Sequence, residues 1–382
     1  LNSEYMVVKR GTLNRNIYAP PILRAIAQKL RIGKTFYLLL IFIPISFYFA
    51  LFTADKTLTF ITSILAIIPL ARIMGYSTTQ ISLQANPTVS GLISATFGNS
   101  IELIIAIIAL QNGLIRVVQA SMIGSIIGNI LLLVGLSVFF GGLRYKHQTF
   151  NNETVAVSST MLIIVVAGLA IPSVYAFANP GVDSDISTIS IAVAIVMAVI
   201  YIAGLVFSLK THKDLFDASD EIRDTQERPT MTKKLAALIL LITIIVVAIQ
   251  SEFLVQSINA AAVSLGITTT FIGIIIIAII TNIAENATAV HFALRNKLDV
   301  SIEIGLSSAI QIALFVVPIL MLVSQLFGFG FTLQFTLFEL VALVLGVLII
   351  NYLSADGRCN WLEGAQLISV YAIVAIAFFF IS

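Results

Sequence analysis

Two short stretches carry acids where leucine would be cheaper. "TFGNSIELIIAIIAL" (96–110) holds Asn99 and Glu102, and "IAIITNIAENATAV" (277–290) holds Asn282 and Glu285, each pair three residues apart in an apolar run. A carboxylate in hydrocarbon is costly, and it is expected to face a partner or a water-filled pathway. Residues three apart lie on nearly the same helix face, so each pair offers a carboxylate and an amide carbonyl to one place. Together the pairs make an all-oxygen donor set. Hard cations such as calcium accept carboxylates, carbonyls and water at flexible geometry, and two carboxylates neutralise a divalent ion. Once the cation leaves, two anions remain in a poorly solvated site. Desolvation and mutual repulsion then favour their protonated forms. Cation and protons would compete for the same oxygens, which is a physical basis for exchange.

The surroundings of these acids are those of a membrane. Of 382 residues 59% are hydrophobic and 10% are charged, with a mean hydropathy of +1.04; soluble chains are about 45–50% apolar and about 25% charged. A spanning helix needs roughly 20 mostly apolar residues. Eleven such stretches are expected, at 35–53, 57–75, 88–111, 115–141, 154–176, 186–208, 233–253, 268–294, 298–326, 331–353 and 360–381. The excess length of 115–141 and 268–294 implies tilt or a break. "PPILRAIAQKLRIG" (20–33) reads as a basic helix on the membrane surface. A long basic segment precedes the first apolar run, so no cleavable leader is expected. The single cysteine, Cys359, excludes an internal disulfide.

Charge sets the expected orientation. With residues 1–34 in the cytoplasm and alternating spans, nineteen of the 21 basic residues fall inside, and only Lys56 and Arg116 fall outside. The C-terminus is then outside or lumenal. The polar stretch 210–234 carries six acids and six bases. It reads as a solvated loop, with a cation-sensing helix as the alternative. It separates two similar halves: Asn99/Glu102 and Asn282/Glu285 recur at a lag of 183, and "ALQNGL" (109–114) resembles "ALRNKL" (293–298). By the orientation, 88–111 runs outward and 268–294 inward, so the copies are inverted. Secondary transporters have this architecture, with the site near the midplane where repeats meet. The expected organisation is 1–34 basic segment, 35–53 leading span, 57–208 first five-helix repeat, 209–232 linker and 233–382 second repeat. The fold class is an all-α integral membrane protein of eleven transmembrane helices.

Other polar residues in the spans divide between pathway and packing. Glu303 stands roughly opposite Gln119 in the repeat and reads as lining a cation path or as a structural partner. Ser125, Ser308 and Gln311 read as ligands or as the hydrogen-bonding glue common in membrane helices. Glu339 reads as structural or peripheral, and His291 as an interior or interface residue, with a proton relay as the alternative. Trp361, Tyr352 and Tyr371 read as interface and packing residues.

"GLISATFGNSIELI" (91–104) and "NIAENATAV" (282–290) resemble the two signature repeats of the calcium/proton exchanger family, within the calcium/cation antiporter superfamily. "VQASMIGSIIGN" (118–129), "SSAIQIALFVVP" (307–318) and "NYLSADGRCNWLEG" (351–364) are similar to its other recurrent stretches. The resemblance implies an eleven-span fold with a divergent first span. It also implies Glu102 and Glu285 as cation and proton carriers, with Asn99 and Asn282 beside them. The chain departs from the family pattern at Thr281, where glycine is usual, at "YSTTQIS" (76–82), where acids are common, and at Ser94, where asparagine is common.

The sequence thus reads as an antiporter exchanging cytosolic Ca2+ for H+ by alternating access. A Na+-driven exchanger of Ca2+ or another divalent cation is the alternative, and a cation channel a lesser one. No Ser/His/Asp constellation, histidine metal set or nucleotide loop points to an enzyme. No cofactor is expected, Ca2+ being the transported substrate. The expected partners are Ca2+, H+ and the lipid bilayer, without nucleic acid; a homo-oligomer is left open. A prokaryotic cell membrane fits the compact loops, and a vacuolar membrane has the same topology.

Overall fold

A computed structural model describes residues 38–181, 183–212 and 229–381. The surface helix expected at 20–33 and most of the 210–234 connection lie outside the described residues. In chain order the helices are α1 (Phe42–Phe52), α2 (Lys56–Ser82), α3 (Pro87–Phe97), α4 (Ser100–Gln111), α5 (Ile115–Arg144), α6 (Asn152–Ala178) and α7 (Ser184–Thr211). There follow α8 (Lys233–Leu265), α9 (Thr269–Thr281), α10 (Ile283–Ala293), α11 (Leu298–Phe327), α12 (Leu337–Leu353) and α13 (Trp361–Phe380). Seven of these are long and apolar enough to cross a membrane. Two more crossings are made if the bent pairs α3–α4 and α9–α10 each count as one, and α1 and α12 are shorter apolar helices.

The expectation of tilt or a break in the two long stretches holds as a break in one of them, and a second expectation, the extent of the span at 331–353, is corrected. Of the two stretches longer than a span requires, 268–294 is broken, by 53° between α9 and α10, but 115–141 is not. There α5 runs on through a single π-helical stretch, Gly128–Leu133. The other break falls at 98–99, where α3 and α4 meet at 42°. Asn99 (φ −105°, ψ 29°) and Asn282 (φ −91°, ψ 4°) occupy the hinge positions, in or beside the sparsely used bridge region of backbone space. Second, the apolar stretch 331–353 is helical only from Leu337. Gly328 (φ 72°) and Gly330 (φ 75°) end α11 in left-handed turns that favour glycine. The chain then buries Phe331, Leu333 and Phe335 alternately, the period of an extended strand. Side chains of neighbouring helices satisfy its backbone. Ser324, Ser190 and Ser173 accept from the N–H groups of Phe331, Leu333 and Phe335 at 2.8, 3.0 and 2.9 Å.

The helix ends sort into two sets by their cross-links. At the end bearing Arg144, Lys146, Arg295, Lys297 and Arg358, β1 (Gln148–Thr149) pairs antiparallel with β2 (Arg358–Cys359). There Gln148 donates to the Ala293 carbonyl at 2.9 Å and Gln84 to that of Met231 at 3.1 Å. At the opposite end Glu339 of α12, fully buried, pairs with Arg116 of α5 at 3.1 Å. The interior of α5 approaches α9 so closely that a Cβ on Gly124 would meet the Ile274 carbonyl at 2.0 Å. Small residues permit such close packing where lipid supplies no hydrophobic drive.

Candidate cation site

Each break turns a helix N-terminus into the protein interior. Glu102 stands in the first turn of α4 and Glu285 in the first turn of α10. The partial positive charge at a helix N-terminus favours an anionic group there, and discontinuous helices in transporters use such ends to build sites. The two carboxylates are close enough for their charges to interact. Glu102 is buried and Glu285 is half-buried.

The hinge asparagines do not cap the helices that follow them; their side chains reach sideways to helices of the other half. Asn99 Nδ2 donates to Gln311 Oε1 at 2.9 Å, and Asn99 Oδ1 accepts from Ser308 at 3.1 Å. Asn282 Nδ2 donates to Ser125 at 3.3 Å, and Asn282 Oδ1 accepts from Asn129 at 3.3 Å. Asn129 also donates to Ser308 Oγ at 2.9 Å, which joins the two sets. The Thr281 side chain contacts the Glu102 carboxylate, and that of Ser308 contacts the Glu285 carboxylate. Both amide oxygens expected as ligands are therefore engaged in hydrogen bonds. Among the described residues, Glu285 Oε2 and Asn129 Oδ1 belong to a wider set of buried polar atoms without a hydrogen-bond partner, which also includes Asn286 Oδ1 beside Glu285 and, away from the two acids, Gln148 Oε1 and several hydroxyls. What sets the site's oxygens apart is their place beside two carboxylates, where a cation could accept them as ligands. Among the described residues no group of three or more acids, histidines or cysteines gathers; a cation held between the two carboxylates would take its other oxygens from amides, hydroxyls and backbone.

The structure thus brings Asn99, Glu102, Asn282, Glu285, Ser125, Ser308 and Gln311 together. Gln119 lies apart. It accepts from Arg116 at 2.6 Å and donates to the Thr332 carbonyl at 2.9 Å, beside the Arg116–Glu339 pair. Glu339 closes a capping box with Thr336 at the start of α12, a structural use. Glu303 lies two helical turns before Gln311 in α11. Sequence reasoning missed Asn129 and the contact of Thr281. Asn129 had a signal, its place four residues after Ser125 in a stretch of small and polar residues.

A family model described as "Sodium/calcium exchanger protein" matches residues 56–210 and again 235–380. The chain belongs to the sodium/calcium exchanger family. Each matched stretch of this exchanger contains one break, one hinge asparagine and one acid in the turn that follows. Among its relatives is the Ca(2+)/H(+) antiporter of Synechocystis sp., 42% identical over 363 residues, 91% of this chain and 98% of that one. The Ca(2+)/H(+) antiporter ChaA of Bacillus subtilis is 41% identical over 339 residues, 88% of this chain and 96% of that one. Among solved structures, native YfkE superposes with a TM-score of 0.80 at 37% identity, covering 91% of this exchanger and all of that chain.

Proposed function

We propose that this exchanger moves Ca2+ against H+ across a membrane, with Glu102 and Glu285 carrying both ions in turn. The observation that carries the reading is the meeting of these two acids at two helix breaks, inside a network drawn from both halves of the chain. The Synechocystis and Bacillus relatives are Ca(2+)/H(+) antiporters, which supports H+ over Na+ as the counter-ion. Ca2+ enters as substrate and meets two carboxylates whose charges it neutralises. Asn99, Asn282, Ser125, Ser308, Gln311 and Asn129 position those carboxylates or supply neutral oxygens. When Ca2+ leaves, two adjacent carboxylates in a dry site favour taking up protons, and the neutral site can return.

The finer organisation belongs to the same proposal. It has eleven spans, with a leading span at 35–53 and inverted repeats at 57–208 and 233–382 joined by a linker at 209–232. The family match to both halves supports the duplication. The basic end faces the cytoplasm by the positive-inside rule, which leaves the C-terminus outside or lumenal. The test is Ca2+ uptake into proteoliposomes carrying an imposed pH gradient, with and without Na+. Uptake driven by the pH gradient alone is expected. Uptake that needs Na+ and ignores the pH gradient would refute proton exchange.

A further inference from the structure

One face of α11 differs from the rest of the helix. Asp299, Glu303, Ser307 and Gln311 are each half-buried, whereas Ile302, Leu306 and Ala309 between them are buried. Residues four apart share a helix face, so the four form a polar stripe. Its inner end joins the candidate site. Gln311 Nε2 donates to Ser307 Oγ at 3.0 Å, and Gln311 Oε1 accepts from Asn99 at 2.9 Å. Its outer end reaches the basic end, where Asp299 accepts from the Asn151 backbone N–H. At its inner end the stripe meets the α3–α4 hinge. A Cβ on Gly98 would lie 3.3 Å from Gln311 Oε1, and Ser94, one turn earlier on that face, is exposed like Gly98. The stripe therefore leads from the basic end to the neighbourhood of Asn129 Oδ1 and Glu285 Oε2, two buried oxygens without hydrogen-bond partners.

Among the described residues the Glu303 carboxylate makes no hydrogen bond or ion pair, and the charge it senses is that of Asp299. A lone carboxylate turned to lipid would be costly, and in a polar stripe it faces water. The surrounding rim mixes Arg144, Lys146, Arg295, Lys297 and Arg358 with the acids Glu153, Asp356 and Glu363. Further in, Arg72 donates to Thr288, one turn beyond Glu285 in α10. The Arg72 guanidinium there repels a divalent cation. A negative charge set within a low-dielectric cleft offsets it and raises the local cation concentration. We propose that Glu303 is a cation-capturing residue on the basic-end access path, raising the rate at which Ca2+ reaches Glu102 and Glu285 without ligating it there. The proposal rests on the reading of that pair as the carriers.

The test uses the full chain in proteoliposomes, with Ca2+ supplied at the basic end. Glu303→Gln is expected to raise the KM for Ca2+ about threefold to tenfold, leave the maximal rate within about twofold, and flatten the dependence of KM on ionic strength. Glu303→Asp should keep most of the wild-type KM. Equilibrium Ca2+ binding to Glu303→Gln in detergent should stay within about twofold of wild type, since the central oxygens are intact. Failure of the central reading would appear elsewhere, as normal exchange by Glu102→Gln. A second variant, Glu303→Cys, gives an independent readout, because the native Cys359 is buried. A membrane-impermeant thiosulfonate carrying a sulfonate should react from the basic end and restore the KM, and one carrying a quaternary ammonium should raise it further. An unreactive Cys, an unchanged KM and salt dependence in Glu303→Gln, or equal damage from Asp and Gln with a lowered Tm would each overturn the proposal.

Discussion

Asn99 and Gln311 stand 212 residues apart in sequence and 2.9 Å apart in space, the amide of one donating to the carbonyl of the other. The bond ties the hinge of α3 and α4 to the middle of α11. The second hinge is tied likewise, through Asn282 to Ser125 and Asn129 of α5. Each break is thus held by a helix of the other half, so a cation that rearranges one set of bonds acts on both hinges.

The acids give the first prediction. Glu102→Gln and Glu285→Gln each remove one charge and keep the size and one carbonyl oxygen. Either variant should reach the membrane and fail to exchange, with uptake below about a hundredth of wild type, since losing a buried charge partner costs about 3 kcal/mol or more. Near-normal uptake driven by a pH gradient would remove that residue from the carrier role.

Asn129 supplies the second. It is fully buried and bridges Asn282 and Ser308. Asn129→Ala should weaken apparent Ca2+ affinity about tenfold, as expected for losing a buried hydrogen-bonding group of about 1–3 kcal/mol. Asn99→Ala and Asn282→Ala should do the same, and Asn99→Asp or Asn282→Asp should change the proton dependence of transport. Calcium titration of the purified variants checks this, and unchanged affinity in all three alanine variants would assign them to helix packing.

The contrast between these residues says what the sequence could tell. The Asn–Glu spacing and its recurrence at a lag of 183 marked the acids, because both lie within a few residues of each other on the chain. The hinge at 98–99 was hidden, since "FGNS" continues an apolar run without proline, whereas that at Asn282 showed only as the excess length of 268–294, without its position. Asn129 offered only its spacing from Ser125 as a signal, and its tertiary partners give that spacing its meaning. At 331–336 hydropathy misled, since a buried extended strand that borrows hydroxyls from α6, α7 and α11 is as apolar as a helix end.

A third prediction separates stability from transport. Glu339 is fully buried, while its partner Arg116 is 44% exposed. Solvent screening on the Arg116 side moderates the pair, yet Glu339 also closes the capping box of α12. Glu339→Ala should therefore lower stability by about 1–3 kcal/mol and leave the Ca2+ affinity of the folded fraction unchanged. A thermal melt alongside calcium titration checks both, and lost affinity at normal Tm would draw this pair into the cation path.

Close packing gives the fourth. An added methyl on Gly124 meets backbone, the Ile274 carbonyl at 2.0 Å, which cannot swing aside as a side chain could. Gly124→Ala should push α5 from α9 and cost about 1–3 kcal/mol or more. Because Ser125 follows it and bonds Asn282, the variant should lose Ca2+ affinity as well as stability. Gly113→Ala, at a left-handed turn with open space around it, should leave affinity untouched, and equal effects at both positions would refute the packing argument.

The fifth prediction concerns competition between the two ions. If Glu102 and Glu285 must both shed protons to bind Ca2+, apparent affinity falls as pH on the binding side falls. The sign follows from linkage. The Ca2+-bound state holds fewer protons than the free state, so raising the pH favours binding until both carboxylates are ionised, and then has no further effect. Where two protons leave together, log affinity against pH should approach a slope of about two. A Na+-driven exchanger or a channel has no such requirement, because its carboxylates could stay ionised throughout. Calcium binding between about pH 5 and 8 at fixed ionic strength, a window reaching above the ordinary glutamate range, checks it. In Glu285→Gln one titrating group is gone, so whatever binding survives should show a slope no greater than about one. A flat profile in the unaltered chain would mean that the protons bind elsewhere, and the two acids would then hold Ca2+ alone.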